Sequence, residues 1–226
     1  MSKSNVFLPM QLKEAIQNDA ERFYYMFSPL ALSNAQPYLT EERAVLSRLV
    51  HGKHLVVVGA GPLMYLDVAQ KHSLSYTAID PLIHLYVNSS VKSLIASSGS
   101  IAVHLVDKPF CAIDSFDIPS SPCVLIFHFN VAAYIDGFQY HLNKLLKNGD
   151  VLVISKWGNS EKSKKIRQNY FSYLKTLMPD CATLVGDLNR EISLKDLQEI
   201  RDFKHAQKIE NDVCEFIVVK AGAGNE

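Results

Sequence analysis

His54-Leu55-Val56-Val57-Val58-Gly59-Ala60-Gly61-Pro62-Leu63-Met64-Tyr65-Leu66 is the stretch whose reading decides the fold. A run of β-branched and leucine residues stops at two glycines and gives way to residues compatible with a helix. That is the sequence form of a buried strand, a tight turn and a helix start. A second apolar run, Tyr76-Thr77-Ala78-Ile79, ends at Asp80. A glycine turn after one strand and a carboxylate after the next make the nucleotide-binding half of a doubly wound sheet. Gly59 and Gly61 would let the backbone approach a ligand closely, and Asp80 would accept hydrogen bonds from two ribose hydroxyls.

Working outward, apolar runs predict strands over 54–58, 75–79, 101–106, 123–129, 151–154, 181–185 and 215–219. Helical spacing predicts helices over 10–27, 40–50, 63–69, 82–97, 132–146, 160–178 and 193–206. Thr40 reads as an N-cap, with Glu41 and Glu42 as first-turn acids suited to the helix dipole. Gln36-Pro37 reads as a loop, and a short helix is weakly signalled near 111–116. The aromatic stretch Tyr24-Tyr25-Met26-Phe27 reads as a packing face, with a lid over a pocket as the other reading. Residues 1–39 are expected to form a helical cap, 40–221 the main domain and 222–226 a disordered tail. Strands alternating with helices imply a mainly parallel α/β sheet covered on both faces. Ligands bind such sheets beyond the carboxyl ends of the strands, where the strand order reverses. Gly59, Ala60, Gly61, Pro62, Asp80, Pro81, Asp107, His128 and Asn130 all fall at those ends.

The chain has 226 residues, with 23 Lys plus Arg against 23 Asp plus Glu, so its net charge is zero. That balance points away from nucleic acid and anionic membranes as partners. Four cysteines, at 111, 123, 181 and 214, include no C-x-x-C pair and read as free thiols in a reducing cytoplasm. No apolar stretch reaches the length of a membrane span, and the charges within 10–27 argue against a secretory leader. His51 and His54 lack the carboxylate or cysteine that would complete a metal set, so no metal is expected. There is no Gly-x-Ser-x-Gly nucleophile turn and no phosphate-binding loop ending in Gly-Lys-Ser/Thr. Met64, standing where a dinucleotide fingerprint has its third glycine, disfavours a dehydrogenase-type site. The basic run 162–167 reads as a solvated helix face.

The glycine turn resembles motif I of the class I S-adenosylmethionine-dependent methyltransferases, an acid-x-Gly-x-Gly-x-Gly pattern. Residues 57–63 match it at Gly59 and Gly61 and depart from it at Val57 and Leu63. Asp80 matches the acid that holds the ribose, Asp107 falls near the acid that meets the adenine amino group, and 145–154 resembles the segment leading into strand five. The resemblance covers about residues 40–220. It implies a Rossmann-like, doubly wound, seven-stranded, mostly parallel sheet closed by a C-terminal antiparallel hairpin. It also implies S-adenosylmethionine as cofactor, S-adenosylhomocysteine as its product, and a small-molecule acceptor, with the chain a monomer or homodimer. His128 is then the best-placed general base and Asn130 a residue that could orient the acceptor. A weaker similarity links Gly59-Ala60-Gly61-Pro62-Leu63-Met64 and Asp80-Pro81 to nicotianamine-synthase-like enzymes, which transfer the aminobutyrate arm of the same cofactor. A non-catalytic, methyltransferase-like binding protein is the remaining alternative.

Overall fold

The computed structural model describes residues 27–72, 74–86, 95–96, 101–118, 122–135, 137–177, 192 and 194–222. Its strands are β1 (His54–Val58), β2 (Tyr76–Ile79), β3 (Val103–Val106), β4 (Cys123–Phe127), β5 (Val151–Trp157), β6 (Gln207–Glu210) and β7 (Cys214–Lys220). They form a seven-stranded sheet in the order β3-β2-β1-β4-β5-β7-β6. Neighbours among β1 to β5 are parallel, and β7 runs antiparallel to both β5 and β6. The doubly wound sheet with a closing antiparallel hairpin is therefore present.

Both faces of the sheet are covered, which explains the unbroken apolar runs of its strands. Leu55 and Val57 of β1 join a core with α1 (Pro29–Asn34), α2 (Gln36–Leu49), α3 (Leu66–Lys71) and α6 (Glu161–Leu177). Val56 and Val58 join the other core with α5 (Phe138–Leu145) and α7 (Leu194–Gln198). A short α4 (Ile83–Tyr86) follows β2. No helix among the described residues is long and apolar enough to cross a membrane.

Several expectations need correction. The helix expected from Thr40 begins at Gln36 and takes in Pro37, whose missing N–H costs nothing in a first turn. Thr40 lies inside that helix, its hydroxyl donating to Gln36 O at 2.9 Å. The helix expected over 132–146 is split into a 3-10 segment, Val131–Tyr134, and α5, with Gly137 between them at φ +63. The helix expected over 193–206 stops at Gln198, and β6 follows as an edge strand. Gln207, Lys208 and Glu210 are exposed, so β6 carries no alternating apolar signal, and its charges blunt the open edge. The helix over 10–26, the strand over 181–185 and the tail beyond 222 lie outside the described residues.

Candidate functional site

Strand order reverses at β1, with β2 on one side and β4 on the other. Such a reversal opens a crevice at the strand ends. Gly59 and Gly61 leave β1 at φ +71 and +48, and Leu63 and Tyr65 continue the turn at 61 and 65. Hydrogen bonds tie the turn to β2 and to Asp80 just beyond it. Gly59 N–H donates to Ile79 O at 2.8 Å, and Gly61 N–H donates to Asp80 Oδ2 at 2.9 Å. Leu82 N–H donates to Asp80 Oδ1 at 2.8 Å. Burial raises the Asp80 pKa, and these two donors oppose the rise. A carboxylate has about four lone-pair sites, so each oxygen keeps capacity for one more donor.

A cavity of about 370 Å³ lies over these strand ends. Val58, Gly59, Ile79 and Asp80 line it from β1 and β2, and Pro81 and Leu82 from the segment beyond β2. Pro109, Phe110 and Cys111 contribute from beyond β3, Phe129, Val131, Tyr134 and Ile135 from beyond β4, and Phe27 from the N-terminal side. Asp80 is the one charged side chain among these described lining residues. The cavity therefore combines apolar and aromatic walls with a single carboxylate, an arrangement suited to a flat apolar body carrying hydroxyl donors.

The expected site residues do not all meet there. Gly59, Asp80 and Pro81 line the cavity, and Gly61 holds the Asp80 carboxylate. Ala60 and Pro62 belong to the turn but not to the described lining. Asp107 is exposed and pairs with His84 at 3.2 Å; it is not among the described lining residues, although its charge helps to raise the Asp80 pKa. His128, expected to act as base, is fully buried, with ring centroids 5.9 Å from Phe27 and 5.4 Å from Tyr65. Its Nε2–H donates to Gly59 O at 2.7 Å, the tautomer that a carbonyl partner requires. Burial lowers its pKa to about 4 despite that bond. His128 thus braces the glycine turn as a neutral ring and does not face the cavity. Asn130 is buried at φ 63, its N–H donating to Ser155 O at 3.2 Å, and is likewise not on the lining.

Leu82, Pro109 and Phe110 also line the cavity, and their places just beyond β2 and β3 are the signal in the sequence that points to them. A further departure from the sequence expectation is Glu42. This residue is fully buried, and its carboxylate accepts from Phe129 N–H at 2.7 Å, from the Ser155 hydroxyl and from the Tyr65 hydroxyl. Burial raises its pKa to about 7.

Phe27 rests on the turn. A Cβ added to Gly61 would lie 2.9 Å from Phe27 Cγ, at a φ of +48. Gly61→Ala is expected to destabilise the chain by about 1–3 kcal/mol through left-handed strain plus this contact. A double-mutant cycle with Phe27→Ala, read by urea denaturation, should show a coupling that recovers the contact part alone. Strict additivity would mean that the ring does not rest on the turn.

No family model matches the chain, and no curated protein matches it. Solved structures do resemble it. A proposed S-adenosyl-L-methionine-dependent methyltransferase of Methanococcus maripaludis aligns with TM-score 0.50 and 15% identity, over 97% of this chain and 96% of that one. Magnesium protoporphyrin IX methyltransferase of Synechocystis PCC 6803, solved with bound S-adenosylhomocysteine, aligns with TM-score 0.53 and 10% identity, over 93% and 99%. An O-methyltransferase family 2 protein of Planctomyces limnophilus, solved with apigenin, aligns with TM-score 0.51 and 16% identity, over 92% and 64%. At these identities the likeness is one of fold.

Proposed function

We propose that this chain, which has the fold of the class I S-adenosylmethionine-dependent methyltransferases, transfers a methyl group from that cofactor to a small-molecule acceptor. One observation carries the reading. Asp80 ends β2 at the strand-order reversal, lines the cavity, and keeps acceptor capacity beyond its bonds to Gly61 and Leu82 N–H. That capacity fits the two hydroxyls of a ribose. The apolar side chains of Leu82, Pro109 and Phe110 suit the faces of a purine. The bound cofactor would supply a methyl group already activated on a sulfonium. The absence of Lys, Arg or His from the described lining suits a cationic sulfur, and the aromatic rings there offer it favourable faces.

The chain's own part is to hold, orient and exclude water. Gly59 allows close approach, Asp80 fixes the ribose, and the rings of Phe27, Phe129 and Tyr134 keep the cavity dry. A base is needed only for an acceptor protonated at neutral pH. Neutral, enclosed His128 is better suited to hold the turn than to accept that proton. The three described cysteines are free thiols, in keeping with the cytoplasmic setting proposed here.

A second reading, a methyltransferase-like protein that binds without catalysis, is favoured by Phe27 covering Gly61. Calorimetric titration with S-adenosylhomocysteine tests the cofactor site common to both. Micromolar binding is expected, weakened roughly 100-fold in Asp80→Ala by loss of about 3 kcal/mol of charge-assisted hydrogen bonds. Denaturation of the variant checks that its turn still folds. No binding of either this ligand or S-adenosylmethionine by the wild-type chain would overturn the proposal. Turnover against candidate acceptors then separates enzyme from binder.

A further inference from the structure

Two turns bracket the cavity, and both are held in unfavourable backbone. After β1, Leu63 and Tyr65 adopt φ of 61 and 65; after β4, Phe129 and Asn130 adopt 50 and 63. Residues with side chains keep such angles where their surroundings over-determine them. Asp202 is the only other non-glycine residue with positive φ among the described residues. The strain is therefore concentrated at the cavity.

One buried side chain touches both turns. Glu42, from α2, accepts from the Tyr65 hydroxyl on the first and from Phe129 N–H on the second. The Ser155 hydroxyl of β5 donates to the same carboxylate, receives Phe129 N–H at 3.0 Å and lies 2.9 Å from the Tyr38 hydroxyl. The Tyr65 hydroxyl, Phe129 N–H and the Ser155 hydroxyl each bring a hydrogen to Glu42. An ionised carboxylate accepts all three; a protonated carboxyl has one oxygen turned donor, and the Tyr65 hydroxyl must reverse to receive it. Phe129 lines the cavity, and Tyr65 ends the turn that presents Gly59 and holds Asp80 through Gly61.

We propose that Glu42 is a positioning residue whose ionised carboxylate sets the glycine turn and the Phe129 turn relative to each other, and with them the shape of the cavity. The titratable and charged groups facing it are Tyr38 and Arg43 of its own helix, Tyr65 of the turn and Cys214 of β7. Burial pushes Tyr38, Tyr65 and Cys214 upward, which leaves Glu42 to change charge among them near neutral pH. The effect on ligand affinity rests on the cofactor reading above; the coupling of the two turns does not.

The test uses the full chain labelled with ¹⁵N-phenylalanine. The assigned Phe129 amide is expected to titrate through the neutral range in the wild type and to stay fixed in Glu42→Gln. Tyr65→Phe removes one donor to the carboxylate, so the Phe129 midpoint should rise. A Phe129 amide that does not titrate in the wild type, or that titrates equally in Glu42→Gln, overturns the proposal. If Glu42→Gln fails to fold, an unmoved midpoint in Tyr65→Phe overturns it in the same way. In parallel, Glu42→Gln should weaken S-adenosylhomocysteine binding on the order of tenfold, about one charge-assisted hydrogen bond. Absence of binding by the wild type would defeat the cofactor reading while the amide titration still decided the role of Glu42.

Discussion

Trp157→Ala is expected to destabilise the chain by about 3–5 kcal/mol, the range for truncating a large buried aromatic residue. Trp157 is the only tryptophan in the sequence and is 7% exposed. Its ring lies 4.4 Å from Tyr38 and 5.5 Å from Phe129, centroid to centroid. Tyr170 meets Phe129 edge-on at 5.0 Å and completes the cluster. These rings join α2, the turn after β4, β5 and α6, so the vacated space has several elements to destabilise and none free to fill it. The loss is read by urea denaturation followed by far-UV circular dichroism, since the variant has no tryptophan to follow. Trp157→Phe should cost less, because it retains an aromatic contact. A loss below about 1 kcal/mol in Trp157→Ala, a value typical of surface changes, would show that the cluster is not packed as described.

The second large effect depends on pH. The Glu42 pKa stands at about 7 in the folded chain against an ordinary 4.5. A raised acid pKa contributes stability that is complete below the unfolded value and is lost as pH climbs through the folded one. The span corresponds to about 3 kcal/mol lost between pH 4.5 and pH 7 and above. His54 and His128 act in the opposite sense. Burial lowers both to about 4 from 6.5, so their contribution is present above 6.5 and is lost as pH falls toward 4. The wild-type profile alone mixes these trends. The stability difference between wild type and Glu42→Gln isolates the carboxylate, and it should move by about 3 kcal/mol in favour of the glutamine variant as pH rises. A difference independent of pH would mean that Glu42 titrates as an exposed carboxylate does.

Much of the fold was legible because fully buried parallel strands leave an unmistakable mark. Leu55 to Val58 and Cys123 to Phe127 are apolar at every position, since both faces of the sheet are covered. β6 left no such mark, being exposed, charged and short. The split at Gly137 was hidden because a helical apolar pattern persists across a left-handed break. In the site, Gly59 and Asp80 were legible because a turn and a strand end are local events. For His128 the sequence places the residue at the end of β4 but not the direction of its ring, which bonds Gly59 O and is not among the described lining residues. By sequence Glu42 reads as a first-turn acid suited to the helix dipole, whereas its partner Phe129 N–H lies 87 residues along the chain. Neither helical period nor local spacing encodes such a contact.

The insertion of β7 between β5 and β6 constrains how this chain can be made. On a ribosome β1 to β5 emerge first and can pair in parallel, but β5 then presents an open edge of unpaired backbone. β6 does not cover that edge, because among the described residues its ladder is with β7 and that of β5 on this side is with β7 too. The sheet is sealed only when residues 214–220 clear the exit tunnel, so the nascent chain spends the intervening synthesis time with an apolar strand exposed to other chains. Slow translation beyond β5 should therefore increase aggregation, and chaperone demand should peak just before the last strand is released.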